Sequence, residues 1–204
     1  MNIFKILGDK SWATPGVVGE ITDRSVGPGP AAKTGLKFFL AALTSMFFLF
    51  CVGYRMRMQL ADWEPLADPT VLWLNTLLLI LSSFALQRAK NAAQRGTIGA
   101  VRTNLTAAGI LAFAFLFGQY FAWQELVSTG SYARTNPSFA FFFLLTGLHA
   151  IHLVGGLYVW ARSAFKAWSG MEIVRFKLSI ELCTTYWHYL LAVWLVFFVL
   201  LLST

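Results

Sequence analysis

Three histidines, His149, His152 and His188, lie inside long apolar runs of this 204-residue chain, and Glu181 precedes the last of them. An imidazole in such a place can ligate a metal or haem, relay a proton, or hydrogen-bond to a neighbouring helix. Thr146, His149 and His152 follow at i, i+3 and i+6, so a helix puts them on one face. Glu181, Thr185 and His188 follow at i, i+4 and i+7 and make a second polar stripe. Gln119 and Gln124–Glu125 place polar groups on a third run. On another, Asn75–Thr76 is echoed seven residues later by Ser82–Ser83, a ridge that packs against a neighbouring helix.

Counting limits the chemistry. A membrane di-iron centre needs far more than three histidines, and a single-metal site here lacks carboxylates at ligand spacing. One haem with two axial histidines is geometrically conceivable, beside the plainer reading of interhelical hydrogen bonds. Cys51 and Cys183, the only two cysteines, fall near opposite ends of their helices, roughly 18 Å apart along the bilayer normal, too far to bridge. No P-loop, nucleophile elbow, HExxH or dinucleotide fingerprint occurs.

The elements that position these residues follow from composition. The side chains are 57% hydrophobic and 12% charged, against about 25% charged in soluble domains. Disorder, nucleic-acid binding and a disulfide scaffold are excluded for the whole chain. A bilayer core of about 30 Å requires about 20 apolar residues of helix. Five runs qualify: Leu36–Tyr54, Val71–Arg88, Leu105–Val127, Ser138–Ala161 and Ser179–Leu202. They are continuously apolar and do not alternate as barrel strands must. The fold class is an all-α, integral membrane five-helix bundle.

Loop charge sets the orientation. Thirteen of the 16 basic residues fall in the N-terminal segment and the second and fourth loops, leaving Arg55, Arg57 and Arg134 on the other side. This places the N-terminus in the cytoplasm and the C-terminus outside. Residues 1–35 form a tail without a signal-peptide core. Met1–Trp12 suits a short interfacial helix, and the glycines and prolines after it suit a linker. Residues 36–204 are the transmembrane domain. Trp12, Trp63, Trp73, Trp123 and Trp168 fall near the interfaces; Trp160, Trp187 and Trp194 fall within helices and read as packing residues.

His152 and His188 lie roughly 15 Å and 13 Å deep from the same side. The fourth and fifth runs are antiparallel, so their stripes are expected to face each other. His152, Glu181 and His188 then form a structural network, with Glu181 near Arg175 or Lys177, and Gly147, Gly155 and Gly156 admit close helix approach.

The run Phe141–Gly156, with Thr146, His149, His152 and Gly155, resembles the sixth helix of haem-copper oxidase subunit III. Glu181, Tyr186-Trp187-His188 and Trp194 are similar to that family's last helix, and Leu72–Ser83, with Asn75 and Thr76, to its fourth. Gln119 and Trp123 match the fifth in part. The likeness covers Leu36 to Leu202 in order, as in the five-helix bacterial form that lacks the first two helices.

The resemblance implies an accessory, non-catalytic subunit of a cytochrome c or quinol oxidase in a bacterial inner membrane. Such a complex reduces oxygen and pumps protons. Haem and copper then reside in partner subunits, with none in this chain. Oxidase subunits I and II are the partners, phospholipids bind, and proton uptake and durability are supported. Where the family carries an acid three residues beyond the histidine this chain has Leu191, and where it carries Ser-Glu this chain has Thr44–Ser45, so those carboxylates are not carried over. The accessory subunit of nitric oxide reductase shares the fold. A haem-binding membrane oxidoreductase and a small channel or carrier are the readings from other classes.

Overall fold

The computed structural model describes residues 28–63, 70–128 and 137–203; the side chains of Pro28, Val174 and Arg175 are outside that description. The expected interfacial helix at Met1–Trp12, the linker as far as Gly27 and Arg134 lie outside the described residues; Pro28–Pro30, read as the end of that linker, instead begin α1, since proline is tolerated in a helix's first turn, where its missing N–H has no intrahelical partner. Five helices run α1 (Pro28–Arg57), α2 (Val71–Gln94), α3 (Ile98–Ser128), α4 (Pro137–Trp168) and α5 (Ile173–Leu202). All five are long and apolar enough to cross a membrane. Contacts divide the chain into residues 1–35 and residues 36–204, a division that falls within α1.

Each helix outruns the apolar count that predicts it. α2 continues through Arg88 and Lys90 to Gln94, and α4 through Arg162 and Lys166 to Trp168. Backbone hydrogen bonding does not stop at the hydrocarbon edge, so polar turns extend a span beyond its apolar length. α2 ends where Gly96 takes φ 76°. Its N–H meets Ala93 O at 3.4 Å and that of Thr97 meets Ala92 O at 3.1 Å, the paired closure in which glycine accepts the left-handed conformation without a Cβ penalty. Gly170, φ 74°, takes the same left-handed conformation after α4.

α2, α3, α4 and α5 pack as a ring in which each touches the next and α5 closes on α2. The ring's centre is aromatic. Phe115, Phe142, Trp187, Trp194 and Phe197 are fully buried, and Phe115 meets Trp194 edge to face at 5.0 Å. α1 is the least buried helix. From Leu36 onward it joins the others through large side chains: the Phe47 ring lies 5.3 Å from both His152 on α4 and Phe197 on α5. Tyr54 stacks edge-on against Trp63 and Phe141.

Candidate functional site: a buried polar layer

Each helix of the ring sends polar side chains into the apolar centre, where water cannot satisfy them and a neighbour must. On α2, Asn75, Thr76, Ser82 and Ser83 are all buried. The ridge splits between its two neighbours. Asn75 Nδ2 donates to Gln119 Oε1 on α3 at 3.4 Å, and Ser82 Oγ donates to Ala108 O on α3 at 2.9 Å. Thr76 accepts from Trp194 Nε1 on α5 at 3.0 Å, while Ser83 Oγ bonds His188 Nδ1 on α5.

The threonines explain how an indole is held in an apolar core. Thr76 donates its own proton to Leu72 O at 2.8 Å, leaving lone pairs for Trp194. Thr146 repeats the device on α4, donating to Phe142 O at 2.6 Å and accepting from Trp123 Nε1 on α3 at 3.0 Å. A hydroxyl bonded back to its i−4 carbonyl is thereby a fixed acceptor for the neighbouring helix.

The α4 stripe fans out over three neighbours. Thr146 meets α3. His149 is fully buried in a box of Phe115, Trp194 and Phe197 at 6.2, 5.3 and 6.2 Å between centroids. Neither of its ring nitrogens has a hydrogen-bond partner among the described residues. His152 Nδ1 donates to Leu148 O at 2.7 Å on its own helix, and its ring faces Phe47 of α1.

The expected facing of the α4 and α5 stripes is not what the structure shows. His188 turns to α2, with Ser83 on Nδ1 and Gln87 Oε1 3.0 Å from Nε2. α5 lies between α2 and α4, and Trp187 takes the inward position, which turns the adjacent His188 about 100° away. The α4–α5 joint is made instead by Tyr186, whose hydroxyl donates to His152 O at 3.0 Å, and by Ser163 and Ser179 at 2.7 Å. Gly156 provides the room: a Cβ there would lie 3.1 Å from Tyr186 and 3.2 Å from Trp187, whereas one at Gly155 would meet nothing within 4 Å. Gly155 therefore does not bring α5 close. Glu181 is half-buried, and its backbone carbonyl accepts from Thr185 at 3.0 Å.

The departures from the family pattern are accommodated locally. Thr44 donates to Leu40 O at 2.8 Å and contacts the Tyr189 hydroxyl at 3.1 Å; Ser45 donates to Ala41 O at 3.2 Å. Leu191 packs against the core. Among the described residues, no three histidine, cysteine or acidic side chains gather as a metal site. The three histidines are dispersed: His149 lies inside the ring, His152 bonds a carbonyl of its own helix, and His188 lies outside the ring against α2. Cys51 and Cys183 are both free thiols.

The pattern of helices and motifs has a counterpart among known proteins: a family model described as cytochrome c oxidase subunit III matches residues 32–203. The chain belongs to the cytochrome c oxidase subunit III family. A probable cytochrome c oxidase subunit 3 of Mycobacterium tuberculosis is 30% identical over 161 residues, 75% of this chain and 78% of that one. The cytochrome c oxidase subunit 3 of Thermostichus vulcanus is 26% identical over 172 residues, 82% and 84% of the two chains. In this family member Asn75, Thr76, Gln119, Thr146, His149, Trp194 and Trp187 lie at the ring's buried centre, and Tyr186, also buried, closes the joint to α4. His152 and His188 lie at its edges. Sequence reasoning missed Gln87, Ser163 with Ser179, and Gly109. Gly109 was signalled by being a glycine inside an apolar helix: a Cβ there would lie 2.1 Å from Trp160 Cζ2, so its absence seats the indole.

Proposed function

We propose that the chain is the accessory subunit III of a haem-copper terminal oxidase in a bacterial inner membrane, without catalytic residues of its own. The observation that carries this reading is how its polar side chains are used. The two indole–threonine pairs, the serine ridge and His188 go into joints between neighbouring helices, leaving a rigid body suited to support a partner. Haem and copper belong to that partner, and subunits I and II are the chains it joins. The side with the Gly96 and Gly170 turns faces the cytoplasm, since most of the basic residues lie there. Durability of the complex, proton uptake on that side and binding of phospholipid are its contributions.

The experiment is affinity purification of the tagged chain from native membranes, followed by separation of the subunits. A haem-copper catalytic subunit is expected in the purified complex, with oxygen reduction, and the haem spectrum should leave with that partner. Stoichiometric haem or copper staying on the isolated chain overturns the reading.

A further inference from the structure

α3 turns one stripe out of the ring beside α4: Thr103, Thr106, Ile110, Phe113 and Phe117 recur at i, i+3, i+7, i+10 and i+14, and all are exposed. At the end nearest the Gly96 turn this stripe opens into a groove of 430 Å³ lined by Arg102, Thr103, Thr106, Ala107, Ile110 and Trp168. Arg102 is held there from two sides. Its Nε donates to Ala167 O in the last turn of α4 at 2.9 Å, and its guanidinium carbon sits 5.3 Å from the centre of the Trp168 ring.

These restraints occupy one of the five guanidinium N–H donors and, among the described residues, leave both Nη groups unspent. Among the described residues no carboxylate pairs with Arg102. Thr103 and Thr106 donate to Gly99 O and Arg102 O at 3.1 and 3.0 Å, so their hydroxyls offer only lone pairs outward. Below them the floor is apolar, and a second groove of 480 Å³ follows along the same helix at Phe113, Phe117 and Tyr120. Phe113 packs edge-on against Trp160 of α4. From Arg102 to Phe113 the helix rises about 16 Å, close to half of the roughly 30 Å hydrocarbon core. A held cation with an exposed tryptophan beside it thus stands at one end of an apolar stripe about as long as one leaflet is thick, the spacing of a phosphate above its acyl chain.

We propose that this furrow binds one anionic glycerophospholipid, its phosphate on the Arg102 Nη groups and one acyl chain over Ala107 and Ile110 toward Phe113. The fork geometry of arginine suits phosphate oxygens, and Trp168 and the Ala167 carbonyl aim it in advance. The proposal gives a place and a headgroup charge to the lipid binding included in the function above. It rests on the membrane placement of the helices, not on the identity of the partner subunits.

The test uses the purified complex and phosphatidylglycerol carrying a photoreactive group midway along one acyl chain, with the same probe made as phosphatidylcholine. Cross-linked peptides are mapped by mass spectrometry. Labelling between Ala107 and Phe117 is expected with phosphatidylglycerol and about fivefold less with phosphatidylcholine. Arg102→Gln should remove that preference, and Ile110→Trp, which fills the furrow and keeps the arginine, should remove the labelling itself. Equal labelling by both lipids, which marks a non-specific annular lipid, overturns the proposal. So does labelling unchanged in Ile110→Trp, or a furrow cross-linked only to another subunit. Because labelling is read on this chain directly, a complex lacking a haem partner would overturn the oxidase reading and leave the lipid result standing.

Discussion

Trp194 and Thr76, 118 residues apart, are joined by a 3.0 Å hydrogen bond that ties the last helix of the ring to the first. The bond is strong in context because both partners are buried and the threonine is locked by its own bond to Leu72 O. Interhelical bonds in membranes average about 0.6 and reach about 1.7 kcal/mol. Trp194→Phe and Thr76→Val should each lower the thermal midpoint of the detergent-solubilised subunit. The double variant should lose less than the sum, with a coupling inside that range. Strict additivity would show that the pair does not act as a unit.

Glycine positions offer a sharper contrast. A Cβ at Gly109 overlaps the Trp160 indole, whereas one at Gly155 meets open space. Gly109→Ala should therefore destabilise the bundle by about 1–3 kcal/mol, the range for overpacking, and Gly155→Ala should leave the unfolding midpoint unchanged. A larger loss from Gly155→Ala would mean that the helices pack differently around α4.

These two glycines also show what was readable in the sequence. Five helices, their order and the buried polar types follow from apolar runs that nothing else can satisfy in a bilayer. Which polar residue faces which neighbour does not follow, because one residue along a helix is 100° of rotation. Gly156 touches Tyr186 while Gly155 does not; Trp187 is inside while His188 is outside. Stripes at i, i+3 and i+6 show that Thr146, His149 and His152 lie near one face. They cannot show that three different helices lie against that face. Helix ends were short for a related reason: counting apolar residues stops at Arg88, while the backbone continues to Gln94.

Asp62, beyond the end of α1, pairs with Arg57, the last residue of that helix. The hydrogen bond from the guanidinium holds the Asp62 carboxyl below its ordinary value. A lowered folded-state pKa gives a contribution that is complete above the unfolded value of about 3.9 and is lost as pH falls through the folded one. Carboxyl NMR of the labelled subunit should give an Asp62 midpoint below the ordinary value, returning to it in Arg57→Gln. A midpoint at or above that value in the parent would mean the pair is not formed in solution.

The orientation proposed above rests on loop charge, 13 of the 16 basic residues falling in the N-terminal segment and the second and fourth loops of the sequence. A phosphatase reporter fused after Thr204 should be active outside the cytoplasm, and one in the turn at Ser169 inactive. The reverse pattern would place Arg102 and its groove in the outer leaflet.

The final prediction concerns His188, the most exposed histidine and the one whose sequence setting most invites a chemical role. Its two ring nitrogens are both engaged by α2, through Ser83 and Gln87. Gln87 in turn donates to Asn91 at 3.2 Å, so a polar ladder runs along α2 to its end. A histidine used in this way sets the rotation of α5 against α2, and Trp194 reinforces the same joint on Thr76 two turns further on. His188→Leu removes two bonds at the rim of the ring while the buried Trp187 and Trp194 stay in place. The expected loss is about 1 kcal/mol, enough to loosen the subunit's retention during detergent purification but not to unfold it. Ser83→Ala should have the same direction and a smaller size. Oxygen reduction by complexes that keep the variant subunit should stay within about threefold of the parent, since no barrier change above about 0.7 kcal/mol is expected. If His188→Leu abolishes turnover while the subunit remains fully bound and its unfolding midpoint is unchanged, the histidine acts in proton transfer and the joint with Ser83 and Gln87 is its means of orientation rather than its purpose.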